Sequence, residues 1–546
     1  MNLELDLVIR NATVVTMDPE HPRASSIGVW NGRIVSVDDE ALRRAARVVD
    51  VDGATVLPGF HDAHCHATSY GVAATQLELS DSPTIDDVLD RVAEHASGMP
   101  EGSWVIGVGY LDREQPGRHP TSAQLDRAGG GRPVWLTHRS GHMCVVSSDV
   151  LRLLPDPLPA IAAGYVSRNA RGEPTGLLEE AAMELVKEVV GPGSVEEMVT
   201  AIDVATRQYV SEGVTRITEA GIGCPGVDHS PLEIGAWQIA SRQGRAHTRA
   251  HLMVYNELFH DLPHHPADRQ TFGLDLGVHT GFGDERVRMS AMKVWLDGAG
   301  SAGKAASRED EDPDAHLVDD PRRLHRMIVD AHRSGWQVAA HAMGDRAVDV
   351  LLDALQEAGP ASEVLERRHR IEHGGLIRPD QIDRLRRLGI VVVIQPAFIG
   401  EFGDALAQHF GADRVGWSIR AASLLDAGIV VAASSDRPVA PGSPLLGIQA
   451  MVERVTASGT KYGPGERVTA ERAIAAYTRN AAYAVGMEHE VGTIAPRQLA
   501  DLVVLDADPT TAISADIGQI GVVATLVNGE AVYDPAQMFD QCLSPR

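Results

Sequence analysis

Lysine is almost missing from this chain of 546 residues. Of 49 basic residues, 45 are arginine, and the four lysines are Lys187, Lys293, Lys304 and Lys461. Such a bias points to a GC-rich genome that turns lysine codons into arginine codons. A lysine that persists is worth locating, because an amine can be neutralised and modified while a guanidinium stays charged. Positive charge as a whole is short too: 75 acidic residues against 49 basic ones give a net charge of −26. That balance argues against nucleic acid and against anionic membrane surfaces as partners. Cysteine is scarce: Cys65, Cys144, Cys224 and Cys542 form no CxxC pair. No disulfide framework is expected, which fits a reducing cytoplasm. No run approaches the roughly 18 apolar residues that span a bilayer. The N-terminal stretch MNLELD lacks the basic and apolar regions of a signal peptide. The expectation is a cytoplasmic protein acting on a small molecule.

What is present is an ordinary globular composition, 44% hydrophobic and 23% charged, in a chain long enough for more than one domain. Both ends read as short strands joined by Asn-Gly and Asp-Gly turns: Asn31-Gly32, Asp52-Gly53 and Asn528-Gly529. Residues 1–55 and 486–546 are therefore expected to build one composite β-sandwich. Between them lie eight short apolar runs, most separated by helix-like stretches: Thr55–Phe60, Val214–Thr218, Ala250–Val254, Arg288–Leu296, Gln337–Ala340, His369–Glu372, Ile390–Ile394 and Ile429–Ala433. Eight strands alternating with helices is the arithmetic of an α/β fold of the (β/α)8 barrel type, here over 56–74 and 196–485. The gap after the first run is too long for one helix and its loops. Residues 75–195 are expected to form an inserted α/β subdomain. The acidic stretch Arg308–Asp314 reads as a solvated loop.

Barrel enzymes place their chemistry at the C-terminal ends of the strands. His64 and His66 follow the first run as an i, i+2 pair, which on a strand share one face. Lys293 lies on the fourth run, His341 ends the fifth, His373 the sixth, and Asp436 the eighth. Imidazoles and a carboxylate converging on one mouth suit zinc and related divalent ions. Cys65, between the paired histidines, is sent by alternation to the opposite face and is expected in the core. Trp295 and the stretch Gln395–Phe398 hint at a partly apolar pocket.

The stretch Leu57–His66 (LPGFHDAHCH) resembles the first-strand signature of the amidohydrolase superfamily. Lys293–Gly298 (KVWLDG), His341–Ala347 (HAMGDRA), Arg370–His373 (RIEH) and Ser435–Val439 (SDRPV) are similar to amidohydrolase family 3, which includes N-substituted formamide deformylases. Ser140-Gly141-His142 and Gly172–Gly176 (GEPTG) fit the same group, and the likeness runs from Asp6 to Asp534. The resemblance implies a TIM barrel with two zinc-type ions. His64 and His66 would hold one, His341 and His373 the other, a carboxylated Lys293 would bridge them, and Asp436 would complete the first; a single ion is the alternative. It further implies metal-activated hydroxide attacking an amide-type carbonyl, with Asp436 as general acid and base. His142 and Asp345 are candidate substrate-binding residues; for Asp345, helix capping is the competing role. The function this implies is hydrolysis of a non-peptide C–N bond in an amide, N-substituted formamide or cyclic amide. The alternatives are deamination of a heterocyclic amine and a non-catalytic binding scaffold. Such barrels often pair as homodimers.

Overall fold

The structure is a computed structural model describing residues 4–38, 45–100, 102–111, 118–139, 143–155, 164–190, 193–224, 230–298 and 317–539. Eight strands make the central sheet: β1 (Phe60–Cys65), β2 (Val214–Ile222), β3 (Arg249–Tyr255), β4 (Val287–Trp295), β5 (Val338–Ala342), β6 (Arg370–His373), β7 (Val391–Ile394) and β8 (Val431–Ala433). Their order in the sheet follows the chain, and every neighbouring pair is parallel. Buried on both faces, several read as apolar runs rather than alternating ones, β7 being Val-Val-Val-Ile, whereas β1 (FHDAHC) and β6 (RIEH) carry buried polar side chains. Amphipathic helices supply the outer layer. In Pro321–Arg333, Leu324, Ile328 and Val329 face inward, Asp320 caps the first turn through Arg322 N–H, and proline opens the helix.

The barrel is nearly closed, and the join between β8 and β1 falls just past β8. Asp436 N–H donates to His64 O at 2.8 Å, and His66 N–H donates to Arg437 O at 2.8 Å. Ser435 adds N–H and hydroxyl donors to the Asp62 carboxylate. The seam that shuts the barrel thus holds the first two histidine candidates and Asp436 side by side.

One expectation needs correcting. The run Thr55–Phe60 is not one strand. Thr55–Pro58 pairs with Thr13–Val15 and Leu502–Leu505 in a six-stranded sheet made from both termini. The barrel strand begins at Phe60 and runs on through His64. The change of sheet occurs at Gly59, where a Cβ would lie 2.3 Å from the Thr215 side chain on β2. Only glycine lets the chain pass that close. A four-stranded N-terminal sheet shares a core with this one, including Leu7, Ile9, Ile27, Val56, Leu502 and Leu526.

The chain divides into two compact units, Met1–Gly71 with Met198–Arg546, and Val72–Glu197. The second unit carries a six-stranded mixed sheet and helices such as Ile85–Ser97, whose capping box joins Thr84 to Asp87. Its cores gather around Val88, Val105 and Leu136 and around Val146, Val150 and Leu178. Among the described residues no helix is long and apolar enough to cross a membrane. Lys304, Cys542 and Arg308–Asp314 lie outside the described residues.

Candidate metal centre

His64, His66, Lys293, His341, His373 and Asp436 line one cavity of about 390 Å³. His64, His66 and Asp436 form the tight group, their ligand atoms all within 4.8 Å of one another. Asp436 Oδ1 is 3.3 Å from His66 Nε2 and 3.5 Å from His64 Nε2, while Oδ2 is 4.0 Å from His373 Nδ1. The His373 ring lies 5.0 Å from that of His64 and 4.4 Å from that of His341, centre to centre. All six side chains are buried.

Supporting contacts aim the rings. His64 Nδ1–H donates to Glu372 Oε2 at 2.5 Å, so Nε2 is left to face Asp436. Glu372 is in turn held by Arg370 Nε and Nη2. His373 Nδ1–H donates to Gln395 Oε1 at 2.8 Å, and Gln395 Nε2 donates to Ser434 Oγ. His341 lies flat against Trp295, with ring centres 4.8 Å apart and planes 12° off parallel. Its Nε2 is buried and has no hydrogen-bond partner among the described residues; Asp297 Oδ1 is 3.8 Å away.

The electrostatics favour ligand forms. Burial pushes the His64 imidazole down to about 3, with Lys293 adding to the shift and Glu372 opposing it. Burial likewise holds His341 and His373 below their ordinary value. Neutral rings keep a lone pair for a cation. Burial would raise the Asp436 carboxyl, yet its hydrogen bond to His66 and the nearby histidines hold it well below the usual range. Burial brings the Lys293 amine down to about 8, against the pull of Glu372 and Asp436.

The sequence did not single out Glu372, and it offered Gln395 only within the apolar stretch Gln395–Phe398, not as the partner of His373. Glu372 precedes His373, and strict alternation would turn one of the two away from the site. His373 has φ 74, in the left-handed region, so β6 ends by turning there and both side chains reach the centre. The legible signal was an acid within the barrel strand Arg370–His373 (RIEH), where a buried charge needs a partner.

The remaining candidates fall elsewhere. Asp345 begins the helix Asp345–Ala358, and its carboxylate meets Arg378 Nη1; it does not line the cavity. Asp297 accepts from Met343 N–H and Gly344 N–H at 2.9 and 2.7 Å, pinning the loop after β5. Cys65 is buried with its Sγ toward Thr218 O, away from the cavity. His142 lies outside the described residues.

The other side of the cavity is apolar. The helix Phe398–Arg414 presents Phe398, Phe402 and Leu406, while Trp295, Met343, Pro438 and Val439 complete the lining beside Ser69.

Known proteins resemble this chain over nearly its whole length. The amidohydrolase family model matches residues 47–533. The chain is 31% identical to the protein LONG AFTER FAR-RED 3 of Arabidopsis thaliana, over 97% of this chain and 91% of that one. It is 29% identical to the N-substituted formamide deformylase of Arthrobacter pascens, over 97% and 98%. Its fold is similar to that of an uncharacterized metal-dependent hydrolase from Pyrococcus furiosus, with a TM-score of 0.75 and 26% identity over 92% of this chain and 100% of that one. A match spanning nearly the whole sequence, on a barrel whose strand ends bring the expected imidazoles and carboxylate together, places the chain in the amidohydrolase family as a metal-dependent hydrolase.

Proposed function

We propose that this protein hydrolyses a non-peptide C–N bond, in an amide, N-substituted formamide or cyclic amide whose substituent is apolar. The observation that carries the reading is Asp436 set against His64 and His66 in a cavity whose opposite side is Trp295, Met343, Phe398, Phe402 and Leu406.

The residues fit a metal. The donors are imidazole and carboxylate, and His341 Nε2 is a buried ring nitrogen with no hydrogen bond to make within the described chain. His64, His66 and Asp436 would hold one divalent ion, zinc by donor type, and His341 and His373 a second. Lys293 would join the two sites as a carbamate. Its amine, lowered to about 8 by burial, attacks CO2 when neutral, forming an N–C bond and releasing one proton. A divalent ion bound here supplies Lewis acidity, which activates water and polarises the carbonyl.

The chain's own residues do the rest. Asp436 Oδ1 faces the two imidazoles, which leaves Oδ2 to carry a proton. Oδ2 takes it from the attacking water as oxygen bonds to the carbonyl carbon. It then returns the proton to the nitrogen as the C–N bond breaks. Phe398, Phe402 and Trp295 exclude bulk water and bind the substituent. One observation favours deamination of a heterocyclic amine as a second reading: His64, His66 and Asp436 are the only tight ligand group among the described residues, and deamination needs one ion.

The test is metal analysis of the purified protein, with intact-mass measurement for one added CO2 on Lys293. It is paired with a screen of formamides, lactams and N-acyl amines that follows formate and ammonia. Two ions per chain, the modification and amide turnover are expected. A Lys293→Ala variant that keeps both ions and full activity would sink the bridge; ammonia from heterocycles with no amide turnover would favour the second reading.

A further inference from the structure

The first three ligand candidates depend on one seam, and the residue beside Asp436 pins that seam. Arg437 is 7% exposed, and its guanidinium carbon lies 4.7 Å from the centre of the Tyr70 ring and 5.0 Å from that of Tyr209. Its Nη2 donates to Glu212 Oε1 at 2.7 Å. Beneath it runs Gly442, where an added Cβ would lie 2.1 Å from Cζ, so the guanidinium occupies a slot with no slack. The backbone of the same residue is equally fixed: its carbonyl accepts from His66 N–H at 2.8 Å and its N–H donates to Ser435 Oγ at 3.0 Å.

Asp436 needs such an anchor. Its φ is 58, a left-handed conformation that a non-glycine residue keeps only when its surroundings impose it. Its N–H donates to His64 O. Relaxation of Asp436 toward ordinary backbone angles would pull on both seam bonds at once, separating the carboxylate from His64 and His66. A cation seated in the corner of two tyrosine rings whose planes lie 73° apart is blocked in two directions, and its ion pair to Glu212 fixes its rotation. Lysine offers a point charge and no plane to stack.

We infer that Arg437 is a positioning residue: clamped by Tyr70, Tyr209, Glu212 and Gly442, it holds Asp436 in register with His64 and His66. The consequence for catalysis rests on the role proposed above for Asp436; the mechanical claim does not.

Amide hydrogen exchange on the metal-free full-length protein tests the mechanical claim directly. Arg437→Met removes the cation, and Gly442→Ala keeps it while forcing it from the slot. In both variants exchange at the His66 and Asp436 amides is expected to speed up by about tenfold or more. The Val391 amide, bonded to His369 O in the barrel wall, reports global opening and is expected to be unchanged. In the metal-loaded enzyme both variants are expected to lose about tenfold in kcat with KM within about twofold, and Arg437→Lys is expected not to rescue. If Arg437→Met does not fold, Gly442→Ala carries the test. Unchanged exchange at His66 and Asp436, or equal acceleration at Val391, overturns the inference. Faster exchange at the seam with no substrate turned over would leave the latch standing and count against the proposed function instead.

Discussion

His64 and His373 each commit one ring nitrogen to a side chain of the protein, Glu372 and Gln395 respectively. That choice fixes the tautomer and points the second nitrogen of His64 at Asp436. Glu372 also neutralises Arg370 inside the barrel, so its loss would disturb two groups. Glu372→Gln is therefore expected to weaken metal binding by about 10–100-fold, read by competition with a chelator. Unchanged affinity would show that the carboxylate does not support His64. The sequence displayed the ligand types, because His, Lys and Asp at strand ends stand out against an apolar pattern. It did not display their supports. Glu372 meets His64 across 308 residues of chain, and Gln395 matters only through His373, whose left-handed φ turns its ring toward the centre.

The helix Phe398–Arg414 shows the same limit one level up. Phe398, Phe402 and Leu406 recur every four residues and share one face, as core residues do in any amphipathic helix. Only the position of this helix over the mouth of the barrel turns that face into a cavity wall. Gly403 on another side lets the helix approach the strand-like segment near Thr456, whose methyl would sit 2.7 Å from an added Cβ. Phe402→Ala should therefore act on selectivity more than on folding. Against substrates with bulky apolar substituents, kcat/KM is expected to fall about tenfold or more, with a small formamide nearly unaffected. An equal fall for both would assign Phe402 to structure rather than recognition. The barrel strands themselves were legible as eight apolar runs, with one misjudged. Thr55–Phe60 joined two strands, since nothing local distinguishes a strand that ends at Pro58 from one that continues past Gly59.

At the scale of the compact unit Met1–Gly71 with Met198–Arg546, the barrel is tied to the terminal sheets through Asp501, which is buried against Arg249 and, at 3.6 Å, Arg216. Arg249 on β3 donates to both oxygens of Asp501 at 2.7 and 3.0 Å, and also to Asn528 Oδ1. Burial would raise the Asp501 carboxyl, but the Arg249 charge, its hydrogen bonds, Arg216 and the Asn528 amide together outweigh it, and the folded value lies below the ordinary one. The pair therefore contributes fully above the unfolded value of about 3.9 and is lost as pH falls through the folded value. Arg249→Met leaves Asp501 buried without its main partner and is expected to cost about 3–5 kcal/mol in urea unfolding near neutral pH. The difference from the parent protein should shrink as the medium is acidified below about pH 4; a constant difference would mean that packing, not charge, was lost. Removal of metal by a chelator is expected to abolish hydrolysis, with zinc restoring it; activity that survives complete removal would contradict a metal-dependent mechanism. By itself the sequence determined the class of fold and the chemical types at the strand ends, because strand periodicity and side-chain chemistry are local properties. It also marked Lys293, the one scarce lysine on a barrel strand, beside the strand that carries His341. Tertiary structure alone decided which atoms meet. Glu372 lies 308 residues from His64, Glu212 lies 225 from Arg437, and Asp501 lies 252 from Arg249. Contacts over such separations are set by how the barrel closes, and no periodicity in the chain encodes them.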